Sequence, residues 1–141
     1  MALHGRVEVP PYPEAIEAMA EGIVRLNIVL MRMAWEKGGI ELPPLYESGA
    51  VYRREAPGGE WWESAIDVLD MAQVKEGDCE DLANYRTAEL RYFEREARAR
   101  TVILRTQRGS FHAVVRRSSG VIEDPSRICL ALERRRHEGA L

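Results

Sequence analysis

The sequence is poor in cysteine, in long apolar runs and in repeated or low-complexity stretches. Each shortage removes a class of protein. Two cysteines in 141 residues, Cys79 and Cys129, cannot build a disulfide scaffold, and reduced thiols in a cytoplasmic setting are the expectation. No apolar stretch approaches the length needed to cross a bilayer, so no membrane association is expected. Residues 1–10 lack the basic start and apolar stretch of a secretory signal. No internal repeat is visible, which sets aside solenoids and propellers.

What remains has the composition of a globular domain: 45% hydrophobic and 30% charged residues, with a net charge of −3. A chain of this length is expected to fold as one domain spanning 1–141. The small negative charge argues against a dedicated nucleic-acid binder, and none is expected as a partner. The charge is unevenly spread. Up to Ala83 there are seven basic and sixteen acidic residues; after it there are thirteen and seven. Two readings stay open, complementary charge between packed elements or a basic face that steers an acidic partner.

The periodicity predicts a long first helix. Pro13 suits its first turn, Glu14 and Glu17 suit its positive end, and Gly38-Gly39 closes it. Ile16, Met19, Ile23, Leu26, Leu30 and Met33 form its expected core stripe. Residues 40–77 then carry breakers and the aromatics Tyr46, Tyr52, Trp61 and Trp62. These four either pin an irregular segment to the core or wall a substrate groove. A short helix over Trp62–Met71 is expected.

Asp78 next reads as a helix N-cap, with Asp81 as the reciprocal half of a capping-box pair, on a helix running to about Ala97 with Leu82, Ala83, Leu90 and Phe93 on one face. Thr101–Thr106 and Phe111–Arg116 read as strands joined by a tight turn at Arg108-Gly109. Val121–Asp124 returns the chain, and Pro125 opens a last helix to about Arg136. Helices followed by an antiparallel meander indicate an α+β fold.

Three residues have settings that match chemical roles. Cys79 falls on the first turn of a helix, where free amides and the helix dipole favour a thiolate and an oxyanion. His112 lies within a strand and can exchange a proton with the thiol and the leaving group. Asp124 ends the next strand, where a carboxylate can orient the imidazole. The turn decides whether the last two meet. A three-residue loop at Ser118-Ser119-Gly120, with Gly120 left-handed, pairs Arg117 with Val121 and sets Val114 opposite Asp124. His112 and Asp124 are then diagonal neighbours on one sheet face, about 7–8 Å apart at the backbone. A two-residue loop would place Asp124 on the opposite face.

Each residue also has a plain structural reading: a buried small hydrophobe, a half-buried strand histidine, a helix cap. Asp78, Glu80 and Asp81 stand within a turn of Cys79 and disfavour a thiolate. The expectation is that the two aspartates turn their oxygens to cap amides while a protonated His112 pairs with the sulfur. Cys129, flanked by Ile128 and Leu130, is expected to be buried, reduced and inert. A metal site on Cys79, His112 and Asp124 lacks any paired-ligand spacing, and neither metal nor cofactor is expected.

The segments Gly77-Asp78-Cys79-Glu80-Asp81-Leu82-Ala83, Phe111-His112-Ala113-Val114-Val115 and Glu123-Asp124-Pro125-Ser126 resemble the transglutaminase-like cysteine superfamily, in its compact bacterial and phage- or prophage-encoded form. The resemblance covers Trp62 to about Leu130. It implies a papain-like core, with the N-terminal and Cys-bearing helices packed on a small antiparallel sheet. It also implies Cys79 as nucleophile, His112 as general base and acid, and Asp124 as orienting carboxylate. Tyr46, Tyr52 and Trp62 are candidates for a further oxyanion donor. The implied activity is cysteine-dependent acyl transfer on a protein or peptide substrate. Hydrolysis is favoured over transglutamination, because nothing specifies a second pocket for an amine. The competing implication is a non-catalytic interaction or phage assembly module that keeps the fold, with other phage structural proteins as partners and a virion-associated location.

Overall fold

The computed structural model describes residues 7–8, 12–54, 61–62, 76–107 and 110–139. The expected helix over Trp62–Met71 and the turn at Arg108-Gly109 lie outside the described residues, apart from the backbone of Trp62.

Helix α1 spans Pro13–Gly38, with proline in its first turn and Glu14 at its positive end. Gly39 stops it in the left-handed region (φ 61°), where its amide donates to the carbonyl of Trp35 while that of Ile40 reaches back to Ala34. The buried seam is Ile16, Ala20, Ile23, Asn27 and Leu30, flanked by Val24 and Met31. Leu26 is exposed instead of buried. The four-three spacing that continues from Ile16 selects Ala20 and Asn27, a small and a polar residue that an apolar count passes over.

Strands β1 (Val7–Glu8) and β3 (Trp61–Trp62) pair antiparallel. Strands β2 (Val51–Tyr52) and β4 (Glu76–Gly77) pair parallel, with Tyr52 opposite Gly77. Helix α2, Cys79–Tyr92, follows β4 directly. It ends five residues earlier than the sequence predicts, and Phe93 is exposed. No glycine marks this stop. Arg95 takes a positive φ of 56°, the Glu96 amide returns to the Leu90 carbonyl, and the Arg91 guanidinium holds the carbonyl of Ala99.

Three strands then form an antiparallel meander: β5 (Arg100–Arg105), β6 (Phe111–Arg116) and β7 (Ile122–Glu123). Ala113 and Val115 of β6 face α2 and pack with Ala83, Leu90 and Ala99. By strand alternation His112, Val114 and Arg116 lie on the other face. Helix α3, Pro125–Gly139, closes the described chain. Its Cys129 is fully buried beside Val24, Met31, Leu82 and Tyr85, and its thiol is free, as expected. Burial pushes that thiol up to about 11, with Arg136 opposing and Glu89 adding to the shift. The architecture is α+β: two helices on one face of a small sheet.

A half-buried ionic network ties α2 to β7 and to the short 3-10 turn at Leu45–Glu47. Arg86 Nε donates to Glu123 at 2.7 Å and its Nη1 to Glu89 at 2.6 Å. Arg117 bridges Glu123 at 3.0 Å and also grips Glu96. Glu89 in turn accepts the Leu45 amide at 2.9 Å. A chain of charge-assisted bonds of this kind positions its members more strongly than it stabilises them.

The β6–β7 connection has the three-residue loop. The Arg117 amide bonds the Val121 carbonyl, the Gly120 amide bonds the Arg117 carbonyl, and Gly120 has φ 91°. Val115 pairs with Glu123, and one further step sets Val114 opposite Asp124. Gly120→Ala forces a Cβ into that left-handed region and is expected to cost roughly 1–2 kcal/mol. Urea denaturation checks it: the midpoint falls while the far-UV spectrum stays native.

Candidate active site

The α2 start is assembled locally. The Asp81 amide donates to Asp78 Oδ1 at 3.2 Å, and the Asp78 amide donates to Asp81 Oδ2 at 3.1 Å, closing the predicted capping box. Gly77 permits this, because a Cβ there would come to 3.0 Å of the Asp81 Cβ. Cys79 is therefore the first helical residue and is 8% exposed.

The backbone amide of Ala113, the residue after His112, favours the charged form of the Cys79 sulfur. The strand pattern explains why that amide is available. Arg117 directs its amide toward β7, so Val115 and Ala113 share that edge, but the ladder stops at the Val115–Glu123 pair. Ala113 thus lies beyond the last partner. Burial holds the thiol far above its ordinary value, and the carboxylates of Glu80 and Asp78 push it the same way. The Ala113 amide opposes them without prevailing. The aspartates do cap the helix, as the sequence suggests, yet the expected thiolate–imidazolium pair does not follow. Burial and these carboxylates favour the protonated thiol over the thiolate.

His112 Nε2 and Asp124 Oδ2 are 2.8 Å apart, both side chains being partly buried. No other hydrogen bond to the ring occurs among the described residues, so Nδ1 is unengaged. Asp124 has two tasks at once. Its Oδ1 accepts the amides of Ser126 at 3.1 Å and Arg127 at 3.4 Å, capping α3, while Oδ2 holds the imidazole. Cap and orienter are the same group, using different oxygens.

The bond to Asp124 raises the His112 pKa above its ordinary 6.5, against partial burial, with help from the charges of Asp124 and Glu80. Burial pushes Asp124 up, but His112 and the two cap amides outweigh it and leave the carboxyl below 3.8. The signs fix the pH window. A raised histidine stabilises the fold below pH 6.5, and that contribution fades as pH rises through the folded value. A lowered aspartate stabilises above pH 3.8 and fades as pH falls through its own. The pair contributes most between those limits.

No hydrogen bond joins Cys79 to His112 among the described residues, and by strand alternation the imidazole lies on the sheet face opposite the one packed against α2. Glu80 acts on both groups: it is buried, it raises the thiol, and it raises the imidazole. Its place in the sequence marked it only as one of three acids near the cysteine.

The four aromatic groove candidates part company. Tyr52 packs against the cluster that holds Cys79, and burial raises its phenol above the ordinary value. Tyr46 donates its hydroxyl to Glu123, and the Arg86 guanidinium lies 4.9 Å above its ring, so it belongs to the ionic network. Trp61 and Trp62 are described only as backbone paired with β1. Among the described residues no helix is long and apolar enough to cross a membrane.

No family model, curated protein or solved structure matches this chain.

Two measurements test the electrostatics. His112 titrated by NMR is expected to show a midpoint above 6.5 that falls in Asp124→Asn. Iodoacetamide should label Cys79 slowly near neutral pH. Glu80→Gln is expected to speed that labelling severalfold at pH 8, because removing the neighbouring charge favours the thiolate.

Proposed function

We propose that the chain is a cysteine-dependent acyl-transfer enzyme with a transglutaminase-like, papain-like core. Cys79 is its nucleophile, His112 its general base and acid, and Asp124 its orienting carboxylate. The observation that carries this reading is the 2.8 Å His112–Asp124 bond, which leaves Nδ1 without a hydrogen bond among the described residues.

The chemistry follows from the protonation states. A neutral thiol requires a base at the moment of attack. As sulfur bonds to an amide or ester carbonyl carbon, its proton passes to His112 Nδ1, and Asp124 stabilises the imidazolium. The carbonyl oxygen becomes an oxyanion at the start of α2. There the amides of Cys79 and Glu80 have no acceptor among the described residues, and the Tyr52 hydroxyl is a further candidate donor. The imidazolium then protonates the leaving amine or alcohol, and water resolves the acyl-thioester with His112 again as base. Hydrolysis is the favoured outcome; the substrate is a protein or peptide.

A second reading has one specific observation behind it. Burial and two carboxylates hold Cys79 far from ionisation, which suits a non-catalytic interaction module, including a phage assembly protein that retains the fold. A peptide aldehyde or chloromethyl ketone series, followed by turnover of the matching peptide amides, separates the two. For an enzyme, the adduct forms on Cys79 and not on Cys129, Cys79→Ala abolishes turnover, and Asp124→Asn lowers it by roughly two to four orders of magnitude while the chain stays folded. Turnover that survives Cys79→Ala removes the cysteine mechanism, and absence of any adduct across the series favours the interaction module.

A further inference from the structure

The second half of the chain carries an excess of basic residues that the ion pairs do not absorb. Five arginines, Arg91, Arg98, Arg100, Arg116 and Arg117, line one cavity of about 670 Å³ together with the loop Ser118–Gly120. Among the described residues no acidic one lines it. Its size lies in the range of about 300–1,000 Å³ typical of small-molecule sites.

The five do different things. Arg91 is held by Glu21 through two bonds of 2.7 and 2.9 Å, and Arg117 by Glu96 and Glu123, so these two are rigid and neutralised walls. Arg98, Arg100 and Arg116 are exposed and have no ion pair or side-chain hydrogen bond among the described residues. Arg100 and Arg116 are moreover direct cross-strand partners in the β5–β6 ladder. Like charges placed opposite each other in an antiparallel pair are destabilising. No ion pair or side-chain hydrogen bond among the described residues relieves this pair, and Arg98, likewise unpaired among them, lines the same cavity.

We propose that this cavity is a binding site for a small molecule bearing more than one phosphoryl group. Guanidinium forks match phosphate oxygens two at a time, and three arginines with no ion pair among the described residues line one cavity, where fewer than three would suffice for a single monoanion. The volume leaves room for more than one tetrahedral oxyanion. Arg116 lies four residues along β6 from His112, roughly 13 Å at the rise of a strand, so this site is separate from the thiol site. It stands whether or not Cys79 is catalytic.

Isothermal titration with pyrophosphate, at constant ionic strength set by sodium chloride, tests the proposal. The expected result is saturable 1:1 binding that is at least tenfold weaker in Arg100→Gln/Arg116→Gln and unchanged in Arg135→Gln. Without ligand the double variant is expected to melt no lower than the wild type, because the opposed charges are gone; this shows that it folds. A parallel titration with inorganic phosphate is expected to bind more weakly than pyrophosphate, and a nucleoside diphosphate that binds more tightly than pyrophosphate identifies an organic phosphoanhydride as the ligand class. Binding no stronger than to chloride, binding indifferent to the double substitution, or a single-stranded oligonucleotide that outcompetes pyrophosphate each overturns it.

Discussion

The structure depends on the register between β6 and β7. Strand alternation sends adjacent residues to opposite faces, and here the adjacent residues are Glu123 and Asp124. Glu123 turns toward α2 and meets Arg86, Arg117 and Tyr46. Asp124 turns to the other side and meets His112. A slip of one residue would exchange the two carboxylates and break both arrangements. The three-residue loop closed by Gly120 holds the register, and the Glu123 network locks it from the opposite face. The candidate site and the ionic network are therefore two consequences of one pairing.

The same end of the sheet accounts for the thiol. β7 stops two positions short of Ala113, and α2 begins where the unpaired Ala113 amide emerges. One amide favours charge on sulfur, while burial and the first-turn acids Glu80 and Asp78 oppose it and win. The acids that organise the helix start thus also keep the sulfur protonated. Acyl transfer at Cys79 would need a base that acts during attack, the role proposed for His112.

Charge is divided in a third way. Of the arginines that follow Ala83, Arg86, Arg91 and Arg117 are committed to glutamates within or between elements. Only Arg91, bound to Glu21, reaches back to the acidic first part as the complementary-charge reading expects; Arg86 and Arg117 hold glutamates that also follow Ala83. Arg98, Arg100 and Arg116 are not committed, and they converge on the hairpin loop that also sets the register. The second reading of the asymmetry, a basic face that steers an acidic partner, concerns these three arginines.

Much was legible in the sequence because it is local. Pro13 and Gly39 bound α1, Asp78 and Asp81 close their capping box, and Gly120 specifies a loop length from which the His112–Asp124 proximity follows by counting. Turn and cap chemistry acts over three or four residues, so a linear reading contains it. The end of α2 was not legible, since it depends on Arg91 and Glu96 meeting groups on later segments and no glycine announces it. Nor was the buried seam of α1 at Asn27, where packing outranks polarity. The aromatics were indistinguishable in sequence. Tyr52 reaches Cys79 because β2 pairs parallel with β4 immediately before α2, whereas Tyr46 lies beneath Arg86. The protonation state of Cys79 was equally out of reach, because desolvation is a property of everything packed around a group and exists only once the chain has folded.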